Sequence, residues 1–257
     1  MRSLPATSLA VLLAVLGRSG PAHATDDLLK GHRGAGREAY RSQQHGAVEL
    51  RLGPYRPDVD AEFGGTATPF EDIYGTGETV MFGIEGDWQA IRIPHFGSFG
   101  PGLQASFAQF SQYALLESDP SQRSSQPTNI WFLPLSLVGV LRIDVLSREL
   151  KVPLVPYVKF GGTMTLWEAR DGVGNAVYGS GDDAVAGQGI STGLTGAAGL
   201  MILLNPIAPQ ASLDLDNGTG VNNAYVFGEW YVSKVSSFDS GLDTGDSTWL
   251  AGVALEF

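Results

Sequence analysis

The sequence has 257 residues, a formal net charge of −11 and no cysteine, and only 17% of its residues are charged. That length suits one all-β domain. The lack of cysteine excludes disulfides, thiolate metal sites, cysteine nucleophiles and lipid-modified cysteine anchors, and the negative charge argues against nucleic acid as a partner.

The first 24 residues have the form of a secretory signal peptide. Arg2 supplies the positive end, residues 4–16 form the apolar core, and Pro21-Ala22-His23-Ala24 gives the small-x-small cleavage pattern. We predict cleavage after Ala24, which leaves 14 basic and 27 acidic residues, a net charge of −13. The apolar core is too short to span a membrane, and no later stretch is long enough for a membrane helix. The sequence therefore predicts an exported protein that no helix holds in a membrane.

Residues 25–46 are polar and show no periodic pattern. Their basic residues, such as Lys30 and Arg41, are nearly balanced by Asp26, Asp27 and Glu38, which leaves a net charge of about +1. The alternative is a basic arm that touches an acidic partner or the peptidoglycan. The weak charge favours a disordered periplasmic leader.

From residue 47 onward, apolar and polar residues alternate in eight segments, with the period of strands whose two faces differ. In the second segment, Val80, Phe82 and Ile84 share one face, and Glu85 and Asp87 share the other. The predicted strands are roughly residues 47–53, 78–93, 98–116, 128–144, 152–167, 188–204, 223–235 and 249–257.

The connections between these strands fall into two sets. An even number of strands returns both ends of a meander to the same side, as outer-membrane barrels require. The odd-numbered connections are mostly long and acidic, whereas the even-numbered ones are mostly shorter, apart from residues 205–222. This asymmetry favours an eight-stranded antiparallel up-and-down transmembrane β-barrel of residues 47–257, with both termini periplasmic. The predicted extracellular loops are residues 58–77, 117–127, 168–187 and 236–246.

The last segment ends the chain on an aromatic residue. Its nine residues are about the length that crosses a bilayer core, although the segment alone fits a β-sandwich equally well. Its ending resembles the C-terminal signal that the barrel assembly machinery reads, with Gly252, Leu255 and Phe257 in the matching positions.

Three motifs resemble a myxobacterial outer-membrane β-barrel family. They are residues 50–58 with Glu62-Phe63-Gly64-Gly65 near the start, Val152-Pro153-Leu154-Val155-Pro156-Tyr157-Val158-Lys159 in mid-chain, and residues 245–252 at the close. The resemblance covers most of the mature chain. It implies location in the outer membrane of a Gram-negative bacterium and barrel architecture, and it implies no catalytic residues.

If the apolar faces meet lipid, the opposite faces carry charges into the lumen. An eight-stranded lumen is only wide enough for side chains to fill, and unpaired buried charges are costly, so we expect salt bridges such as Arg51 or Arg142 with Glu85 or Glu229. The width favours a polar plug over a conduction or substrate path. The predicted lumen charges are Glu49, Arg51, Glu85, Asp87, Arg142, Lys159, Glu229 and Glu256, and the predicted interfacial aromatics are Trp88, Trp131, Trp230 and Trp249.

Enzymatic chemistry has little support in the mature chain. Its histidines, His32, His45 and His95, lie in or beside the leader and in a periplasmic turn, so none suits a Ser-His-acid site. We expect no catalytic residue, no metal site and no cofactor. The expected partners are outer-membrane lipid, lipopolysaccharide and the barrel assembly machinery.

The sequence leaves three function classes open. The favoured one is a barrel with a structural or surface-interaction role and a charge-plugged lumen. The others are a narrow OmpW-like channel for small solutes and a secreted soluble β-sandwich binding module.

Overall fold

The computed structural model describes residues 45–116, 119–170, 174, 177–178, 185–236 and 242–257. The predicted signal peptide and residues 25–44 of the predicted leader lie outside the described residues. Within the described part, no helix is both long enough and apolar enough to cross a membrane.

Antiparallel β-strands form most of the described chain, and short helices lie in the connections between them. The helices are a 3₁₀ helix (Val59–Phe63), α1 (Pro69–Tyr74), α2 (Val145–Arg148) and α3 (Pro209–Thr219). The strands are β1 (Gly46–Tyr55), β2 (Thr79–Trp88), β3 (Ile91–Ile93), β4 (Gly97–Leu116), β5 (Asp119–Arg142), β6 (Leu154–Arg170), β7 (Val177–Tyr178), β8 (Val185–Ala186), β9 (Gln188–Leu203), β10 (Asn223–Val235) and β11 (Asp246–Glu256).

The main sheet closes on itself into a barrel. β1 pairs with β2 on one side and with β11 on the other, and each remaining barrel strand pairs with its neighbours along the chain. Both β2 and β3 pair with β4, so they occupy a single position in the ring. The predicted eight-stranded antiparallel barrel is confirmed, and the β-sandwich alternative is wrong because the sheet has no second layer.

The barrel has an apolar exterior, and its interior holds buried polar and charged side chains together with buried apolar ones. On β4, for example, Leu103 is 67% exposed, whereas the next residue, Gln104, is 8% exposed. Successive side chains of a strand point to opposite faces, so the alternation in the sequence places apolar side chains on the outer surface and the charged ones on the inner surface.

Several element boundaries differ from the sequence-based expectation. β1 continues through Pro54 to Tyr55, with Pro54 opposite Val80 in the ladder. The expected strand 78–93 is interrupted after Trp88. β5 begins at Asp119 and so covers most of the expected loop 117–127, and helices occupy parts of the connections 58–77 and 205–222. The start of β5 is polar and pairs with the end of β4, with Leu115 opposite Arg123, so apolar alternation does not reveal this extension.

Candidate functional site

The interior of the barrel holds the charged residues that alternation assigns to the inner face. The eight residues come from six strands: β1, β2, β5, β6, β10 and β11. None of them is more than 8% exposed. Seven form one connected set, which we call the charge network: Glu49, Arg51, Glu85, Asp87, Arg142, Lys159 and Glu229.

Arg51 contacts three carboxylates at once. Its guanidinium donates to Glu229 at 2.9 Å and to Glu49 at 3.1 Å, and it forms a third, close ion pair with Glu85. The residue opposite it on β2 is Gly83, where a Cβ would lie 2.9 Å from Cγ of Arg51. Glycine at this position therefore makes room for the arginine side chain in the narrow interior.

Lys159 bridges the interior from one wall to the other. In the ring of eight strands, β6 lies opposite β1, yet Nζ of Lys159 is 2.6 Å from a carboxylate oxygen of Glu49. The same nitrogen is 2.8 Å from Glu85 and 3.6 Å from Glu229. Side chains from opposite walls thus meet across the lumen.

Arg142 binds the remaining acid of the network. Its guanidinium donates to both oxygens of Asp87 at 2.6 Å, and to Glu49 at 2.8 Å. Two parallel N–H···O bonds of this kind are stronger and more directional than single ones. Glu49 consequently contacts all three basic residues, and Tyr157 adds a neutral hydrogen bond to Glu229 at 2.8 Å.

Neutral side chains donate hydrogen bonds to Glu256. Asn223 and Tyr225 each donate to its carboxylate at 2.8 Å, and the side chain of Gln89 also donates to it. These contacts join β11 and β10 to the residue that follows β2, at the end of the barrel where the chain ends.

The sequence analysis missed an aromatic cap at the opposite end, made of Tyr55, Phe70, Tyr74, Phe110 and Phe132. Phe70 belongs to α1 in the first connection, and its ring centroid is 5.0 Å from that of Phe110 on β4. The carboxylate of Asp60 fixes the start of α1, because it accepts hydrogen bonds from the backbone N–H groups of Phe70 at 2.8 Å and Glu71 at 3.0 Å. The inward-facing aromatic residues of β4 and β5 are the feature of the sequence that could have predicted this cap.

Acidic groups near this cap are partly shielded from water. Burial raises the pKa of Asp243 above its ordinary value, with nearby Asp58 adding a smaller rise, while the N–H of Gly245 opposes the shift. Burial also raises the pKa of Glu62, which accepts a hydrogen bond from the backbone N–H of Asp243. Both residues lie in connections outside the barrel strands.

The closing strand brings the proposed assembly residues beside β1. Phe257 donates its backbone N–H to the carbonyl of Gly46 at 2.9 Å, and the residue is 39% exposed. Leu255 is half-buried. A Cβ on Gly252 would lie 2.0 Å from the carbonyl oxygen of Leu50, so this glycine also permits close approach of the two strands.

The four predicted interfacial tryptophans do not share one environment. Trp88, Trp230 and Trp249 are more than half exposed on the outer face, and the last two are paired across β10 and β11. Trp131 is half-buried, and its indole N–H donates to Glu168 at 3.1 Å.

Comparison with known proteins finds likeness only among solved structures. The sequence matches no protein-family model, and no curated protein matches it significantly. Ail of Yersinia pestis, solved with the heparin analogue sucrose octasulfate, is 12% identical with a TM-score of 0.38, over 83% of this chain and 97% of Ail.

Two barrels of Pseudomonas aeruginosa are similar to a comparable degree. OprG is 12% identical with a TM-score of 0.47, over 84% of this chain and 97% of its own. The N-terminal barrel domain of OprF is 13% identical with a TM-score of 0.34, over 84% and 100%. The strand pairing, rather than these likenesses, establishes the barrel.

Proposed function

We propose that this chain is an outer-membrane β-barrel of a Gram-negative bacterium, of the myxobacterial type that its motifs resemble, with a structural or surface-interaction role. Its lumen is closed by the charge network, both termini are periplasmic, and it catalyses no reaction. Its surroundings are outer-membrane lipid and lipopolysaccharide, and the barrel assembly machinery inserts it.

The proposed membrane location rests on where the barrel places its apolar and its charged side chains. Large apolar side chains such as Leu103, Phe160 and Leu137 are at least 60% exposed on the outer wall, whereas charged side chains are buried inside. In water, such a surface would be an aggregation hazard. In a bilayer it is the stable arrangement, because a closed barrel satisfies its backbone hydrogen bonds internally and turns its apolar side chains towards lipid.

Contacts across the interior support a closed lumen. The 2.6 Å contact between Lys159 and Glu49 joins opposite strands of the ring, and the aromatic cap fills the interior on the side away from the termini. Eight strands leave little space beside such side chains for a column of water.

Conductance of the purified protein tests the closed lumen. We expect wild-type protein in planar bilayers to show no steady current at neutral pH, with an empty detergent preparation as the blank and a known porin as the positive control. A stable, ion-selective current from the wild-type protein would instead support the narrow OmpW-like channel.

A further inference from the structure

Lys234 is a charged residue on the apolar outer wall of the barrel. On the same face of β10, Trp230 and Val232 are exposed apolar residues. Leu194 lies opposite Lys234 on β9 and is 57% exposed. Ile190 is 56% exposed and lies beyond Leu194, on the same face and towards the end away from the termini. The apolar wall of β9 therefore continues past the level of Lys234, so in the proposed membrane location the base of this lysine lies beside lipid.

The ammonium group of Lys234 makes no hydrogen bond and no ion pair within the described part of the chain. Arg56 and Arg170, at the same end of the barrel, differ because both pair with carboxylates. A charge on a lipid-facing wall is costly without a counter-ion, and a lysine there extends its stem towards the headgroups. The position therefore favours an anion in the headgroup layer as the partner of Lys234.

Two exposed residues with hydroxyl groups flank Lys234 on the outer face, and we call the three residues the outer-wall patch. Ser247 is opposite Val232 in the register of β10 and β11, so it is a diagonal neighbour of Lys234. Thr192 is a diagonal neighbour on the other side, because it is next but one to Leu194, the partner of Lys234. Diagonal neighbours are within reach of a long side chain. The ammonium and the hydroxyls can therefore donate together to the oxygens of a single phosphate.

The carboxylates described near the outer-wall patch lie on the inner face or are already paired. Asp246 precedes Ser247 and is opposite Ser233, which is 7% exposed, so its side chain is on the inner face of the sheet. Glu168, on the outer face of β6, pairs with Arg170 at 2.8 Å. Among the described residues, the patch is therefore locally positive, although the whole chain carries a net charge of −11.

We propose that the outer-wall patch binds one phosphate group of a lipid A molecule. The inference rests on the proposed function, because the proposed orientation places this end of the barrel in the outer leaflet, which consists of lipopolysaccharide. The phosphates of lipid A lie close to its acyl chains, so a phosphate can reach Lys234 while the chains pack on Trp230 and Val232. Hydrogen bonds between an ammonium and a phosphate are about twice as strong as neutral ones.

Lipid retention by the purified barrel tests the site. The mature chain is folded in detergent, incubated with lipid A that carries both phosphates, and washed, and native mass spectrometry then counts the bound lipid. We expect one retained lipid A per wild-type barrel. Dephosphorylated lipid A lacks the anion, and phosphatidylglycerol carries a single negative charge on its phosphodiester. We expect each of them to bind about tenfold more weakly than lipid A.

Matched variants locate the phosphate. Lys234→Gln removes the ammonium and should bind lipid A about tenfold more weakly, whereas Lys234→Arg keeps the charge and should bind it as the wild type does. Thr192→Val keeps the shape of the side chain without its hydroxyl, so we expect a loss of about threefold. Lys151→Gln makes the same change of charge at an exposed lysine between α2 and β6, and it should match the wild type.

Several results would overturn the proposal. Equal retention of lipid A by Lys234→Gln and the wild type is one, and an equal loss from Lys151→Gln is another, because it would assign the effect to net charge. Dephosphorylated lipid A or phosphatidylglycerol bound as tightly as lipid A would also refute it. The membrane location is tested separately: a barrel that fractionates with outer membranes but retains no lipid A refutes this site alone, whereas recovery in the soluble fraction refutes the proposed function.

Discussion

Loss of Arg142 should destabilise the charge network. The arginine makes three hydrogen bonds, two to Asp87 and one to Glu49, and it is 4% exposed. Arg142→Ala leaves both acids short of a partner in a buried site. We expect the free energy of unfolding, measured by urea titration in detergent, to fall by about 3–5 kcal/mol, with flickering current in planar bilayers.

Arg92 provides the matched control for this prediction. It also pairs with an acid, Asp144, but its side chain is 38% exposed. Solvent screens such pairs, so Arg92→Ala should cost about 1 kcal/mol or less. Equal losses from the two variants would mean that burial does not set the strength of the Arg142 contacts.

Individual ion pairs show what alternation can and cannot predict at the residue scale. The period of two indicates which side of the strand carries Glu49, Arg51 or Lys159. The expected pairs of Arg51 with Glu85 and Glu229 are present. Alternation does not indicate every partner, however, because Arg142 contacts Asp87 and Glu49 instead. Partners depend on how far each side chain reaches across the lumen and on the stagger of strands that are remote in the sequence.

At the scale of the elements, the closing strand allows a test of whether Phe257 is needed for assembly or for stability. Deleting Phe257 would also remove its backbone bond to Gly46, so Phe257→Ala is the cleaner change. One half-exposed ring contributes only about 1–2 kcal/mol by burial. We expect the inserted amount in cells to fall sharply, while purified, folded variant keeps nearly the wild-type urea midpoint. Insertion at the normal level would contradict the assembly role.

The contact between the connection that follows β1 and the connection that precedes β11 should depend on pH. Asp243 and Glu62 have raised pKa values in the folded loops, so the folded arrangement binds protons more readily than the opened one. The contact is therefore most stable below the ordinary carboxyl pKa and weakens as pH rises through the raised value. Protease cleavage within residues 60–68 should be slower at pH 4.5 than at pH 7.5, with an acid-tolerant protease and an unfolded peptide of these residues as the rate reference.

The first connection also shows why some elements escape sequence analysis. Residues 58–77 have the composition of a loop, yet they contain the 3₁₀ helix and α1. Phe70 is buried in a cluster that includes Phe110 and Tyr74. Contacts with a strand about 40 residues away stabilise these helices. Such long-range contacts leave no periodic pattern in the local sequence.

For the whole molecule, the apolar exterior predicts firm membrane association. We expect the protein to fractionate with outer membranes, to resist carbonate and high-salt washing, and to migrate faster on unboiled than on boiled detergent gels. A closed barrel resists detergent until heated, whereas a peripheral protein is released by the washes. Recovery of the mature chain in the soluble periplasm or the medium would refute the membrane location.

The absence of cysteine makes orientation directly measurable. Ala67 in the first connection and Asp214 in α3 are both exposed and lie at opposite ends of the barrel. In intact cells, a membrane-impermeant maleimide should label Ala67→Cys and spare Asp214→Cys, and it should label both after lysis. The reverse pattern would place the termini outside the cell.

The distribution of the charge network over β1, β2, β5, β6 and β10 also bears on how this barrel can evolve. A barrel that keeps an even number of strands changes size by whole hairpins. Loss of β5 and β6 would remove Arg142 and Lys159 and leave four buried acids with Arg51 alone, while an added hairpin would widen the ring and pull Lys159 away from Glu49. A change in the number of strands would therefore unbalance the buried charges. A stable barrel of another size would need different inward-facing residues as well.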